Sequence, residues 1–203
     1  IDPFAAGEIS VIKGAAGVRY GPDAIGGVVL VLPPPLLEAR GVAGKVQVVG
    51  VSNGARGLAA ARLDLAPSDD LAFRAEGNYG RGAALSAPDY VLGNTGSEEW
   101  NAGATARWRR DRVAVELAWH HYDLRSGICY CVSTGTPDAF VSQLEAERPI
   151  GAETWTTSYA IDRPFQAVTH DLALARLTDR LAGGTLRATY AFQLNHRAEY
   201  DQV

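Results

Sequence analysis

The sequence predicts an all-β protein made of antiparallel strands of bilayer-crossing length, the elements of a transmembrane β-barrel. Three observations predict it. Polar and apolar residues alternate with period two in seven separate segments, the pattern of strands with two different faces. Most of these segments reach the ~9–11 residues a tilted strand needs to cross a bilayer. The connections between them alternate short and long, as periplasmic turns and extracellular loops do in outer-membrane barrels.

The first element is residues 9–32, ISVIKGAAGVRYGPDAIGGVVLVL: an apolar strand, a Gly-rich loop carrying Arg19, Tyr20 and Asp23, and a second apolar strand. Pro33-Pro34-Pro35 follows. Three prolines neither donate to a ladder nor continue a helix, so they form a stiff extended connector and a domain boundary. The first strand after it turns Val42, Val46 and Val48 one way and Lys45 and Gln47 the other. The second sets Gly57, Ala59, Ala61, Leu63 and Leu65 against Arg56, Arg62 and Asp64, and the third sets Leu71, Phe73, Ala75, Gly77 and Tyr79 against Arg74, Glu76 and Asn78. In the fourth, Trp100, Ala102, Ala104, Ala106 and Trp108 alternate with Asn101, Thr105, Arg107 and Arg109. The fifth places Val113, Val115, Leu117 and Trp119 opposite Glu116, His120 and Tyr122. The sixth, around 168–177, is weaker; its apolar side is read as Leu172 and Leu174, with Asp171 opposite. The seventh alternates Leu186, Ala188, Tyr190, Phe192 and Leu194 with Arg187, Thr189, Gln193 and Asn195.

Short connections fall at 67–70, 110–111 and 178–184; long ones run at about 82–98 and 124–166. Ser52-Asn53-Gly54 breaks the alternation as a tight hairpin turn on the long-loop side. A soluble β-sandwich also has period two, but it leaves the strand length, the loop asymmetry and the aromatics near strand ends unexplained. Trp100, Trp108, Trp119, Tyr79 and Tyr190 occupy the apolar face, where interfacial girdles would put them. The polar face, with Lys45, Arg56, Arg62, Asp64, Arg74, Glu76, Arg107, Arg109, Glu116 and Arg187, carries both signs. That suits a solvated or plugged lumen.

Composition narrows the classes further. A net charge of −4 argues against nucleic acid, which calls for a basic surface. The longest uncharged apolar run, 25–37, contains the three prolines and is too short for a membrane helix. The chain has no Met and starts and stops next to apparent strands, so it reads as a fragment. Cys129 and Cys131 are one residue apart on what reads as extended chain, where ring closure is strained. They therefore do not read as an extracellular staple, and two thiolates fall short of a four-ligand metal site.

Several motifs together resemble TonB-dependent outer-membrane receptors of the siderophore type. The segment 9–32 is similar to the closing stretch of their plug (strand, KGP-type turn, RYG, AxGGVV), with Ala15 where Pro is usual. APDYVLGNTGSEEWNAGA (87–104) is similar to P-x-Y-x-L-x-N-T-G-x-x-E, YAIDRPFQAVTHDLALARL (159–177) to RP-x-Q-x-V-x-H, and YAFQLNHRAEYD (190–201) to Q-x-N-x-R-x-E-[FY]-D. The stretch CYCVSTGTPDAF after Ile128 departs from the family pattern. The resemblance implies an all-β fold of antiparallel transmembrane β-barrel strands preceded by the C-terminal part of a plug domain. Residues 1–33 would be the plug remnant and 34–203 the first part of the barrel.

It also implies a function and partners. These are ligand-gated, energy-coupled uptake across a bacterial outer membrane, a ferric siderophore as cargo, outer-membrane lipid around the barrel, and the TonB inner-membrane energising complex pulling on a box upstream of this sequence. Cobalamin, haem and glycans stay open as cargo. Plug–barrel contact falls to Lys13, Gly14, Arg19, Tyr20, Gly21, Asp23, Gly26 and Gly27, with Arg19 latching onto a wall carboxylate, Glu199 first and Glu116 or Glu76 next. The alternative for Arg19 is capping carbonyls within its own segment. The lumen wall falls to Arg62, Arg74, Glu76, Arg107, Glu116, Arg187, Gln193 and Asn195.

Other chemistry is weak. The glycines of 14–27 are not followed by GK[ST], so they do not form a phosphate loop; they permit positive φ and close packing. Neighbouring His120 and His121 point to opposite faces and cannot chelate one ion. Haem ligation is the remaining use of the histidines, and no metal or cofactor is assigned. No nucleophile elbow, zinc-helix or P-loop motif occurs, so no enzymatic role is expected. An enzymatic barrel would show a Ser/His or Asp/His pair on one strand face near the rim, and Asp171 beside His170 does not supply it. A passive pore or adhesin would lack the N-terminal Gly-rich segment.

Overall fold

A computed structural model describes residues 3–21, 24, 26–131 and 136–201. Two β elements come first: β1 (Glu8–Lys13) and β2 (Gly27–Leu32) pair antiparallel, joined through a 3-10 turn over Gly14–Tyr20. The turn replaces the open loop expected there. Its end is fixed by Gly21, whose N–H donates to the Val18 carbonyl at 3.1 Å. Gly27 has φ +138°, and a Cβ there would stand 2.5 Å from the Ile12 carbonyl oxygen, so only glycine lets the two strands meet.

The rest is one antiparallel meander of seven strands in sequence order. They are β3 (Gly41–Val51), β4 (Arg56–Ser68), β5 (Leu71–Gly82), β6 (Ser97–Arg110), β7 (Val113–Gly127), β8 (Phe165–Leu181) and β9 (Gly184–Tyr200). The period-two segments are these strands. At 11 to 17 residues they exceed the 5–6 usual in globular sheets. The sheet is open among the described residues: its outermost strands are β3 and β9, and they do not pair with each other.

The β4–β5, β6–β7 and β8–β9 turns are tight and lie at one end. The other end carries 52–55, 83–96 and 128–164. The last of these is not all loop, since it contains the helix α1 (Pro137–Glu145), capped by Thr136, whose side chain accepts from the Ala139 N–H at 3.2 Å. It also contains Cys129 and Cys131, which are joined by a disulfide. The chain turns at Tyr130 instead of running extended, bringing the two Cα atoms to 5.0 Å, within disulfide reach. The expectation that the two cysteines do not form a staple is corrected on that ground.

The register fixes two faces. One lateral row reads Val42, Leu65, Phe73, Ala106, Leu117, Ala175, Tyr190 across all seven strands; another reads Lys45, Arg62, Glu76, Gly103, His120, Leu172, Gln193. The assignment of β8 is thereby corrected: Leu172 and Leu174 lie on the polar face, and Asp171 lies on the apolar one. Register decides this, because Trp119 on β7 and Phe192 on β9 both stand beside Ala173, and the small side chain leaves room for both rings.

Burial is inverted relative to a water-soluble domain. On the apolar face Val46 and Val48 are 76% and 79% exposed and Tyr190 69%, whereas Asp64 and Arg74 on the polar face are each 5% exposed. Among the described residues the buried apolar cluster there is small: Leu36, from the segment after the prolines, sits on Ala66 and Ala72, with Leu37 against it. Leu36→Ala is expected to cost about 2–3 kcal/mol, the low end for a buried leucine because its neighbours are themselves small. Urea unfolding measures it, and an unchanged midpoint would show that Leu36 does not hold the segment.

Candidate functional site

The site is the polar face of the sheet, bounded at the short-turn end by the segment 33–38 and at the opposite end by the long loops. Arg74 on β5 is its centre. Its Nε donates to Asp64 Oδ1 at 2.7 Å, Nη1 to the Pro34 carbonyl at 2.7 Å and Nη2 to the Pro35 carbonyl at 3.1 Å. Arg62 brings a second cation to Asp64, 3.2 Å away. On the adjacent strand β6, Arg107 donates to the Leu37 carbonyl, and Arg109 donates to those of Glu38 and Asp69. Asp69 in turn accepts from the Arg40 N–H at 3.0 Å. Proline has carbonyls but no N–H, so a proline-rich segment offers acceptors alone. Arginines on the sheet supply the donors. Charge-assisted hydrogen bonds are worth about 1.5–3 kcal/mol each, so the segment is fastened across the sheet as a strap.

The wall continues beyond the strap. Arg56 pairs with Glu99 at 2.8 Å, Arg176 with Glu116 at 3.2 Å, and Arg197 with Glu199; His120 Nδ1 stands 3.9 Å from Glu76. Asn101 donates to Asn78 at 2.8 Å, and both are buried. Arg187, Gln193 and Asn195 lie on the same face by register, on the exposed edge strand β9. All eight residues expected on the lumen wall thus share one face.

The N-terminal residues are placed differently from the latch. Arg19 donates to its neighbour Tyr20 and lies over that ring, 4.7 Å from its centroid. Glu199 engages Arg197 and Gln166. Among the described residues the structure does not join Arg19 to Glu199, Glu116 or Glu76. Lys13, Gly14, Gly21, Gly26 and Gly27 lie at the ends of β1 and β2 and in their connection; Asp23 lies outside the described residues. Phe4 and Ala5, at the base of this hairpin, do reach the wall, lining a narrow gap with Lys45, Gln47, Ala60, Arg62, Glu76 and Asn78.

At the long-loop end Asn94 is the organiser. It is 8% exposed. Its amide nitrogen donates to the carbonyls of Ile128, Asp162 and Pro164 at 2.8–3.0 Å, and its Oδ1 accepts from the Asp162 N–H at 2.8 Å. One side chain thus ties the 83–96 loop to both ends of 128–164. Asn94 has φ +61°, a conformation asparagine tolerates better than most residues. A Cβ on Gly127 would stand 2.1 Å from the Asn94 carbonyl oxygen, so that glycine is needed for the approach. Nearby, the rings of Tyr130 and Trp155 are 6.2 Å apart. Burial, followed by the negative charge of Asp162, pushes the Tyr130 hydroxyl above its ordinary pKa. Sequence reading quoted Asn94 only as part of NTG; a buried amide among loop residues leaves no period to detect.

The corrected placement of Asp171 creates one more feature. On the apolar face, near the long-loop end, Asp171 Oδ1 stands 2.9 Å from His121 Nδ1, and the His121 ring lies 4.3 Å from that of Trp100 and 6.0 Å from that of Trp119. Thr169 donates to Asp123 beside it at 3.3 Å. The cross-strand neighbours of the pair on that face are Ala102 and Leu194. Compared with known proteins, the sequence matches no family model and no curated protein.

Asn94→Ala removes all four of these bonds. Local opening of the loop cluster is expected to become easier by about 2–3 kcal/mol, which is roughly a 30- to 150-fold faster hydrogen exchange at the Asp162 amide. Exchange mass spectrometry of peptides spanning 156–165 reads this directly. Unchanged protection would mean that the loops are held elsewhere.

Proposed function

We propose that the chain is part of a TonB-dependent receptor of the bacterial outer membrane, a gated importer for a ferric siderophore. The observation that carries this reading is the inverted sheet: long strands with large apolar side chains exposed on one face and buried charges on the other. Bilayer lipid is the occupant that suits the apolar face. Trp100 and Trp108 bracket Ala102, Ala104 and Ala106 on one strand. Eight residues of strand span about 27 Å, which at a tilt of ~35–45° crosses about 19–22 Å, most of the ~25 Å apolar band between aromatic girdles. His121 and Asp171 are level with Ala102, and Asp123 with Trp100, at the long-loop edge of that band, where polar side chains are tolerated better than at its centre.

The polar face becomes the wall of a lumen. A wall lined by both signs of charge, crossed by a proline strap and preceded by a Gly-rich hairpin, suits a barrel with a separate stopper better than an open pore. The motifs of 9–32, 87–104, 159–177 and 190–201 supply the family and, with it, the energising complex and the iron chelate as cargo. Cobalamin, haem or a glycan would fit the same wall. No enzymatic role is proposed: the rim pair of His121 and Asp171 has no serine beside it.

Two measurements test the reading. Charge on the apolar face should be costly near mid-bilayer, so Ala104→Arg or Leu117→Arg is expected to destabilise the protein folded in lipid by about 2–4 kcal/mol. Thr105→Arg, on the opposite face, should cost far less. Equal costs would remove the bilayer from that face. The cargo is tested by the outer-membrane abundance of the full-length protein in iron-starved and iron-replete cells. Strong induction on starvation is expected. Presence without response would redirect the search to cobalamin or glycans, and absence from that membrane would overturn the barrel.

A further inference from the structure

The strap and the hairpin it follows are held in different ways. The backbone carbonyls of Pro34, Pro35, Leu37 and Glu38 are all taken by guanidinium groups of the sheet, and Leu36 is buried against Ala66 and Ala72. Arg74 is itself locked by Asp64, and Arg109 by the Asp69 carbonyl. In the hairpin, in contrast, Glu8–Lys13 pairs with Gly27–Leu32 and the Gly7 N–H donates to the Leu32 carbonyl at 2.8 Å, while Phe4 and Ala5 at its base line the gap against the sheet. Ile9, Val11, Val18 and Val29 of the hairpin are all more than half exposed. The change from loosely held to clamped chain falls at the three prolines, whose fixed φ and missing N–H make a stiff joint.

We propose that residues 34–38 are a stationary anchor, and that Arg74 and Arg107 are positioning residues which stop any displacement of the N-terminal segment at Pro33. An inward pull on the stopper then hinges or unravels the chain up to the prolines and leaves the strap in place on the wall. Its role in gating rests on the receptor reading; the anchoring does not.

The anchoring is read by single-molecule pulling on the full-length protein in bicelles, with handles on cysteines introduced at Glu8 and Asp89. The expected trace is a low-force extension of about 85 Å, the contour of the chain from residue 8 to the prolines at ~3.5 Å per residue. A plateau then holds until the sheet itself yields. A first step of about 110 Å, reaching β3 without a stop, would overturn the proposal. In the variant carrying Arg74→Ala and Arg107→Ala the stop should vanish and the longer step appear. A stop that persists would show that these arginines are not the clamp.

Transport supplies the separate arm. Leu36→Cys with Ala72→Cys, closed as a disulfide, should retain at least half of the uptake of a ferric tris-catecholate probe, whereas closing Ala5→Cys to Ala60→Cys should abolish it until reductant is added. Loss of uptake in the first pair, reversed by reductant, would overturn a stationary strap. If the unmodified protein takes up no iron chelate, the ferric-siderophore cargo fails and the pulling traces still decide the anchor.

Discussion

The arrangement depends on the guanidinium of Arg74. It binds a carboxylate one strand away and two proline carbonyls that have no strand partner at all. A charged pair this far from water offsets its desolvation only if its other hydrogen-bonding positions are filled. Here the strap fills them, so pair and strap need each other. Without the strap, two of the Arg74 donors lose their partners. Without Arg74, Asp64 retains only Arg62, and two carbonyls lie against the sheet with no donor.

This dependence explains how a polar face can be the better packed side of the sheet. Apolar contact contributes little there, since the cluster is one leucine on two alanines. Order comes instead from cross-strand pairs at register positions and from side chains reaching backbone carbonyls. The apolar face does the opposite. It presents broad side chains with nothing of the described chain upon them, and its stability is a matter of what solvent surrounds it. In water that face would be a liability; in lipid it is the favourable surface.

Much of this was legible in the residues. Seven strands announced themselves because period two survives wherever one face differs chemically from the other, and the tight turns followed from their charged and glycine residues. The sixth strand was misread on Leu172 and Leu174. Its true apolar side is Ala173, Ala175 and Leu177, and alanine gives too little contrast for the pattern to show. Only the neighbours, Trp119 and Phe192, fix the parity, and pairing is not visible in a single strand. The same limit hid the His121–Asp171 pair, fifty residues apart in sequence. The strap was marked by its prolines as a stiff connector, yet its partners come from three different sheet positions that no spacing connects. Asn94 was equally hidden, because an amide that organises loops acts on carbonyls and leaves no side-chain pattern.

A final consequence concerns where motion can occur. Strands β4, β5 and β6 carry the strap clamp at one end and flank the Asn94 loop cluster at the other. Between those ends lies a continuous antiparallel ladder in fixed register, broken only by the irregularity between Leu65 and Ser68. Sliding any strand by one residue would turn its charges onto the apolar face and its apolar residues onto the wall, so the ladder cannot transmit a signal by shear. It serves as a frame. If the outer loops and the short-turn end communicate in a gated importer, the message has to pass through something inside the frame and not through it. The N-terminal segment is placed to carry it: Phe4 and Ala5 line a narrow gap together with Lys45, Arg62 and Glu76 of the sheet. In the receptor reading proposed above, fixing the chain at the strap would confine a pull to the residues that precede the prolines.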